Sequence, residues 1–471
     1  MDNAETEKAC VRNSLRYCST LNLHVSVMPL VQHRQYPRRR PGPALPLLAG
    51  LLLTAWPMAL HAQTIDTYFP AGVGGYDQQL GVTVQSRARP LYAAPGINLD
   101  SFNIQPRLDQ SLFYNSNPTG ISGAGTWGSS TAASVSAGSL WSRNSLGLSL
   151  GVDTFRYFSL PTLNHTNWNI GVGGGYTIGD SQLVLAYSHQ SYAQLGNSLG
   201  TVQTQTPIRD QTDSAQLSYT FNFSRFSVTP DFSATSYRFG TATVLGIPLN
   251  QQYLDRNVVA GGITTRYAMS DEGGLLFVVR GIDSMYVDPQ PGVPTNNSKN
   301  FLLLAGIDYQ AKGVWRYRLL AGVEMSTFAA AQYSSTTSPT VQASVIWTPT
   351  GTVTVSGTLT RAVQAPQSAG TNGFVLTSAN LVADYEFRRN ILFQARGGLQ
   401  YAQYLQGGAQ TNFTVGAGAS WLLNRNLRLS LDYDTTQQSG STKFSTPLNP
   451  NTVTSGQYNQ SLVTLTLHVA F

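Results

Sequence analysis

One feature constrains this chain more than any other. Apolar and polar side chains alternate with a period of two, in segment after segment, up to the final residue. The segments include "LVLAY" (Leu183, Leu185, Tyr187), "LSYTFNF" (Leu217, Tyr219, Phe221, Phe223) and "WRYRLLAGVEM" (Trp315 to Met325). "ILFQARGGLQY" (Ile391 to Tyr401) and "LRLSLDY" (Leu427 to Tyr433) continue the series. The chain ends on "SLVTLTLHVAF", with Val463, Leu465, Leu467, Val469 and Phe471 on one face. Side chains of a strand point alternately to its two faces, so each segment has one apolar and one polar face. A segment runs for about 9–11 residues, the length a tilted strand needs to cross a bilayer. No stretch after residue 63 has the apolar length of a membrane helix, and none keeps a 3.6-residue period.

The connections sort into two kinds. Tight ones, "SRNS" (142–145), "IGDS" (178–181), "FSRF" (223–226), "SDEGG" (270–274), "QAKG" (310–313), "TPTG" (348–351), "RRN" (388–390) and "NRN" (424–426), hold hairpin residues. Long polar stretches lie between them, such as 191–213, 237–256, 283–300 and 435–457. Eight tight hairpins give sixteen strands. An opening strand near 102–115 and the closing strand 458–471 bring the count to eighteen. Weak patterning near 120–142 and 254–267 keeps sixteen open.

Alternation alone also fits a soluble sandwich with one wet face. Three features favour a closed antiparallel transmembrane β-barrel. So many half-apolar strands need an opposing layer if they are not in lipid. Short and long connections alternate, as periplasmic turns and extracellular loops do. Apolar-face aromatics also gather beside the tight turns, at Trp141, Tyr176, Phe223, Phe226, Tyr309, Trp315, Trp347, Phe387, Phe393 and Trp421. A row of rings at one height is an interfacial girdle, and closure leaves no unpaired edge in lipid.

Composition agrees: 11% of residues are charged, against roughly 25% in ordinary globular proteins. Residues 1–62 hold seven Lys/Arg and three Asp/Glu, so they supply +4 of the formal +6. The basic balance is mostly a leader property, which removes the main support for nucleic-acid binding. Both cysteines, Cys10 and Cys18, also lie there, so thiol and disulfide chemistry is excluded from the rest. "PRRRPGPALPLLAGLLLTAWPMALHAQ" reads as a secretory signal peptide cut between Ala62 and Gln63. The layout expected is a leader over 1–62, a periplasmic lead-in over 63–100 and a barrel over 101–471.

If the apolar face meets lipid, the other face lines a lumen. By parity it carries Arg107, Asp109, Asp153, Arg280, Asp308, Arg316, Arg318, Glu324, Asp384, Glu386, Arg396, Arg428 and Asp432. The signs nearly balance, so these residues either brace the wall in pairs or set up a field across a pore. Arg316, Arg318 and Glu324 share one strand and form the best pore-facing group, with Asp384 and Glu386 placed to face them. A barrel of this size holds an aqueous channel unless a loop folds in; 283–300 is one candidate constriction.

No enzyme motif or metal-ligand spacing occurs in a suitable context, and no cofactor is expected. His165, His189 and His468 are the only histidines after the leader. His189 faces outward with Ser191 two residues on, a pair that would suit a membrane-facing lipid hydrolase; an interfacial polar residue is the plainer reading.

Two segments carry a family resemblance. "LVTLTLHVAF" resembles the terminal strand of Gram-negative outer-membrane barrels. That resemblance makes Val463, Leu465, Leu467, Val469 and Phe471 the signal read by the barrel-assembly machinery. "VQSRARPLYAAPGINLDSFNIQPRLDQSLFYNSNP" (84–118) resembles the opening of the β-barrel porin 2 family. The matching residues are Arg87, Arg89, Pro90, Tyr92, Phe102, Pro106, Tyr114, Asn115 and Asn117, with Ser116 where an acidic residue is usual. The resemblance implies a porin-like channel of the cell outer membrane, surrounded by outer-membrane lipid. It further implies a link to exopolysaccharide or capsule export and its components. A surface-binding barrel whose long loops contact glycans or other partners is the alternative.

Overall fold

The computed structural model describes residues 82–471, apart from 121–122, 124, 196–198, 200–203, 245, 290–291, 311–313, 367–371, 442, 447–448 and 455–456. The leader and its cut between Ala62 and Gln63 lie outside the described residues, as does 63–81 of the lead-in.

Eighteen long strands make one antiparallel wall. In chain order they are β1 (Phe102–Asn115), β2 (Thr126–Ser139), β3 (Ser145–Tyr157), β4 (His165–Ile178), β5 (Ser181–Gln194) and β6 (Ile208–Asn222). Next come β7 (Phe226–Phe239), β8 (Arg256–Ala268), β9 (Gly273–Tyr286), β10 (Ser298–Tyr309), β11 (Trp315–Phe328) and β12 (Thr336–Thr350). The last six are β13 (Val353–Gln364), β14 (Phe374–Arg388), β15 (Ile391–Tyr404), β16 (Ala409–Leu422), β17 (Leu427–Ser441) and β18 (Tyr458–Ala470). Each pairs with its sequence neighbour, and β18 closes on β1 with Leu462–Ala470 against Arg107–Asn115. Closure satisfies every edge, as a wall in lipid requires. The weakly patterned stretches near 126–139 and 256–268 are strands, so the count is eighteen rather than sixteen.

Local sequence fixes the turns. Ile178 pairs with Ser181, leaving Gly179–Asp180 as a two-residue hairpin, and Gly179 takes the positive φ (60°) that such a turn needs. The 310–313 turn falls partly outside the described residues.

The two faces separate as the alternation requires. On β18, Leu465 and Leu467 are exposed on the outside while Thr466 and His468 are buried on the inside. The outer aromatics interlock across strands near the tight turns. Trp315 stacks on Trp347 at 5.3 Å, and Phe387 meets Phe393 at 6.0 Å.

The inner face departs from a simple polar pattern on β9 and β10. "LLFVVRGI" and "FLLLAGI" are apolar on both faces, and inward Leu276, Val278, Leu302 and Leu304 are buried together with Leu320 of β11. Strands buried on both sides read as continuous apolar runs and hide their period.

Prolines mark the places where the ladder gives way. The β12–β13 pairing ends at Val341–Arg361. Continuing it would set Pro339, which has no N–H to donate, opposite Val363. The freed Val363 N–H instead donates to the Glu324 carboxylate (3.0 Å), which also accepts from Asn300 Nδ2 (2.9 Å).

Candidate functional site

The inner wall is the candidate site, and its charges are organised by register. Gly262 of β8 stands between Asp231 of β7 and Arg280 of β9. Those two side chains pair over it at 3.5 Å. A Cβ at Gly262 would meet Asp231 Oδ1 at 3.1 Å and Arg280 Cγ at 3.2 Å. Gly416 of β16 likewise separates Arg396 of β15 from Asp434 of β17. Arg396 makes a fork to Asp434 through Nε (2.7 Å) and Nη2 (2.6 Å), and donates to Asp432 through Nη1 (3.0 Å). Cβ atoms at Gly416 and Gly418 would collide with those two carboxylates. Arg266 of β8 reaches Asp308 of β10 at 3.0 Å over Gly274 of β9. An inward glycine lets a charged pair bridge three strands.

A fourth arrangement sits at the closing seam. Asp109 of β1 accepts from Arg107 Nε (3.0 Å) and lies 2.7 Å from His468 Nδ1 on β18. On the other side, His468 Nε2 lies 2.9 Å from Ser430 Oγ and 3.3 Å from Arg428 Nη2, both on β17.

The remaining expected residues are placed as follows. Asp153 stands on the same inward parity of β3 as buried Tyr157. Arg316 and Arg318 lie at the tight-turn end of β11, with Arg318 opposite Asp308. Glu324 is not part of their group, because six residues along a strand separate it from Arg318 by about 20 Å. Asp384 accepts from Gln394 Nε2 (2.8 Å), and Glu386 is engaged by the lead-in, so neither forms a pair with the β11 arginines. Parity reasoning missed Arg266, Asp231, Asp434 and His468. The first two lie on strands with weak or unread patterning; an inward glycine in register with Asp and Arg marks Asp231, whereas Arg266 reaches Asp308 diagonally, two residues out of register with Gly274.

The lead-in occupies the tight-turn mouth. Val84 is fully buried with inward Leu392 of β15 and Leu422 of β16, and Tyr92 packs beside them. The Val84 N–H donates to Thr354 Oγ1 of β13 (3.1 Å). Arg89 Nη2 donates to Glu386 of β14 (2.8 Å) and to the Val84 carbonyl (2.7 Å), and Arg87 Nη1 lies 3.5 Å from the same carboxylate. Four residues of the lead-in, Val84, Arg87, Arg89 and Tyr92, thus engage the inner faces of four consecutive strands.

A second inward contact lies at the opposite mouth. Leu199, between β5 and β6, is buried with Phe374 and Leu376 of β14 and Ala402 and Tyr404 of β15. Seven strands lie between these two hairpins in either direction round the eighteen-strand circuit, so Leu199 reaches the far wall. In the loop after β9, read as a candidate constriction, Pro289, Val293 and Pro294 stand beside Tyr253 and Tyr286.

His189 is outward, stacked on Trp168 (4.6 Å) and bonded through Nδ1 to Asp213 (2.7 Å). Ser191 is buried, and its Oγ has no hydrogen-bond partner among the described residues. The nucleophile–base contact that hydrolysis needs is not formed.

The opening motif ties the top of the seam. Asn115 Oδ1 accepts from Asn117 N–H (3.0 Å) and Gln460 Nε2 (2.9 Å), and Ser116 Oγ accepts from Ser461 N–H (2.7 Å). Ser116 therefore orders the junction where an acidic residue is usual. The family model described as "Putative beta-barrel porin 2" matches residues 89–455. The chain belongs to this porin family. Among solved structures, the chain is similar to the outer-membrane protein OpdK of Pseudomonas aeruginosa. The identity is 12% and the TM-score 0.41, over 78% of this chain and 99% of that one. It is also similar to the FrpB iron transporter of Neisseria meningitidis (F5-1 variant), at 10% identity and TM-score 0.41 over 79% and 83%. OccK9 (OpdG) of P. aeruginosa shows 10% identity and TM-score 0.43 over 79% and 99%. No curated protein matches the sequence of the chain.

Proposed function

We propose that the protein is a non-enzymatic outer-membrane channel for small hydrophilic solutes, narrowed by an insert at each mouth. The observation that carries this reading is the sorting of the closed wall: exposed Leu, Phe, Trp and Tyr outside, ion pairs and hydroxyls inside. An outside of that kind is stable only in lipid, and an inside of that kind is stable only when wet or paired. Family membership supports the same reading. The tight turns face the periplasm, so the lead-in stands at the periplasmic mouth and the Leu199 loop at the outer one.

Export of an exopolysaccharide is the cargo that the family resemblance implies, but two inserts leaning on the β13–β16 wall favour a narrower path. Liposome swelling with a size series of neutral sugars tests this. A sharp cut-off at small sugars is expected; entry of long oligosaccharides would favour the wider cargo.

A further inference from the structure

The seam cluster holds more hydrogen-bond donors than its acceptors can satisfy. A neutral imidazole has one N–H and one acceptor nitrogen. His468 Nδ1 lies 2.7 Å from Asp109 Oδ1, so the partner assigns it the proton and makes Nε2 the acceptor. Ser430 O–H and Arg428 Nη2 then compete for that one lone pair, at 2.9 and 3.3 Å. Arg107 Nη2 lies 3.0 Å from Nδ1 and faces an N–H rather than an acceptor. Asp109 already takes Arg107 Nε at 3.0 Å. Two guanidiniums therefore flank one imidazole–carboxylate pair. Protonating His468 would add a third cation and increase the excess.

Of the other carboxylates near the cluster, Asp432 is held by Arg396, and Asp153 stands two strands from Asp109 across Ala132. Unmatched donors and like charges of this kind, half-buried, are costly until an acceptor is supplied. The cluster lies on the inward parity of β17, β18 and β1, where a dissolved anion can reach it if the lumen is wet.

We propose that Arg428 and Arg107, with the Ser430 hydroxyl, form a subsite for a small oxyanion, the phosphate or carboxylate head of a passing solute. Guanidinium edges recognise such groups by charge-assisted bonds. This subsite rests on the channel reading for access from the lumen, but its binding is measurable without current. Titration calorimetry on the folded full chain in detergent should show saturable binding of inorganic phosphate, with acetate as the carboxylate probe. Arg428→Gln should weaken phosphate binding roughly tenfold or more, the loss of one charge-assisted bond, and Arg428→Lys should restore part of it. Gel mobility before and after heating reports whether each variant is folded. In planar bilayers, phosphate should reduce the chloride current of the native protein more than that of folded Arg428→Gln. Equal phosphate affinity in native protein and folded Arg428→Gln would overturn the subsite, as would no binding to the native protein. Native protein that binds phosphate through Arg428 yet passes no current would uphold the subsite and overturn the channel.

Discussion

The bridging pairs make glycine identity a structural requirement at single positions. Gly416 has no side chain because the Arg396–Asp434 fork occupies the space where a Cβ would stand. Gly416→Val should displace the fork and destabilise the folded barrel by about 1–3 kcal/mol, as overpacking does. Urea unfolding in detergent, followed by tryptophan fluorescence, checks this; an unchanged midpoint would remove the pair from the account. Parity in the sequence identifies Arg396 and Asp432 as inward. It cannot name their partners, because a pair spanning three strands depends on register, and register is set by turns far along the chain. Arg316, Arg318 and Glu324 show the opposite error. Shared parity on one strand looks like a cluster, yet Glu324 lies a long way up β11 and closes the gap left by Pro339.

Among the elements, those with strict alternation, such as β17 and β18, are legible from sequence alone. β9 and β10 are less so, since apolar residues on both faces erase the period. The lead-in is the least legible. "VQSRARPLY" has no period, and its docking depends on one buried valine and two arginines sharing Glu386. An attachment so dependent on one carboxylate should be reversible. Glu386→Gln removes the ionic partner of Arg87 and Arg89, and single-channel recordings should then show larger or more frequent openings than the native protein. Identical openings would mean that the lead-in does not restrict the mouth. Phe471 belongs to this scale as well. It is exposed on the outside, with its N–H donating to the Pro106 carbonyl (3.2 Å) at the seam. Phe471→Asp should lower the yield of barrel in the outer membrane while leaving refolding in detergent intact, if the last strand is the assembly signal. Equal yield in membrane fractions would contradict that role.

Seen as one molecule, the barrel carries an apolar outside, a charged inside and an inward-packed contact at each end. Both contacts rest on the same sector: the lead-in on β13–β16 and Leu199 on β14–β15. Leu199→Asp would bury a carboxylate among Phe374, Leu376, Ala402 and Tyr404, which costs several kcal/mol, so the loop should leave the far wall. Conductance should rise while the fold persists, because the loop adds no strand to the circuit. Channel formation itself is tested most directly by planar-bilayer recording of the refolded native protein. Discrete, ohmic conductance steps in salt solution, enlarged in Leu199→Asp, are the expected result. A folded, membrane-inserted native protein that passes no current at any voltage would contradict it.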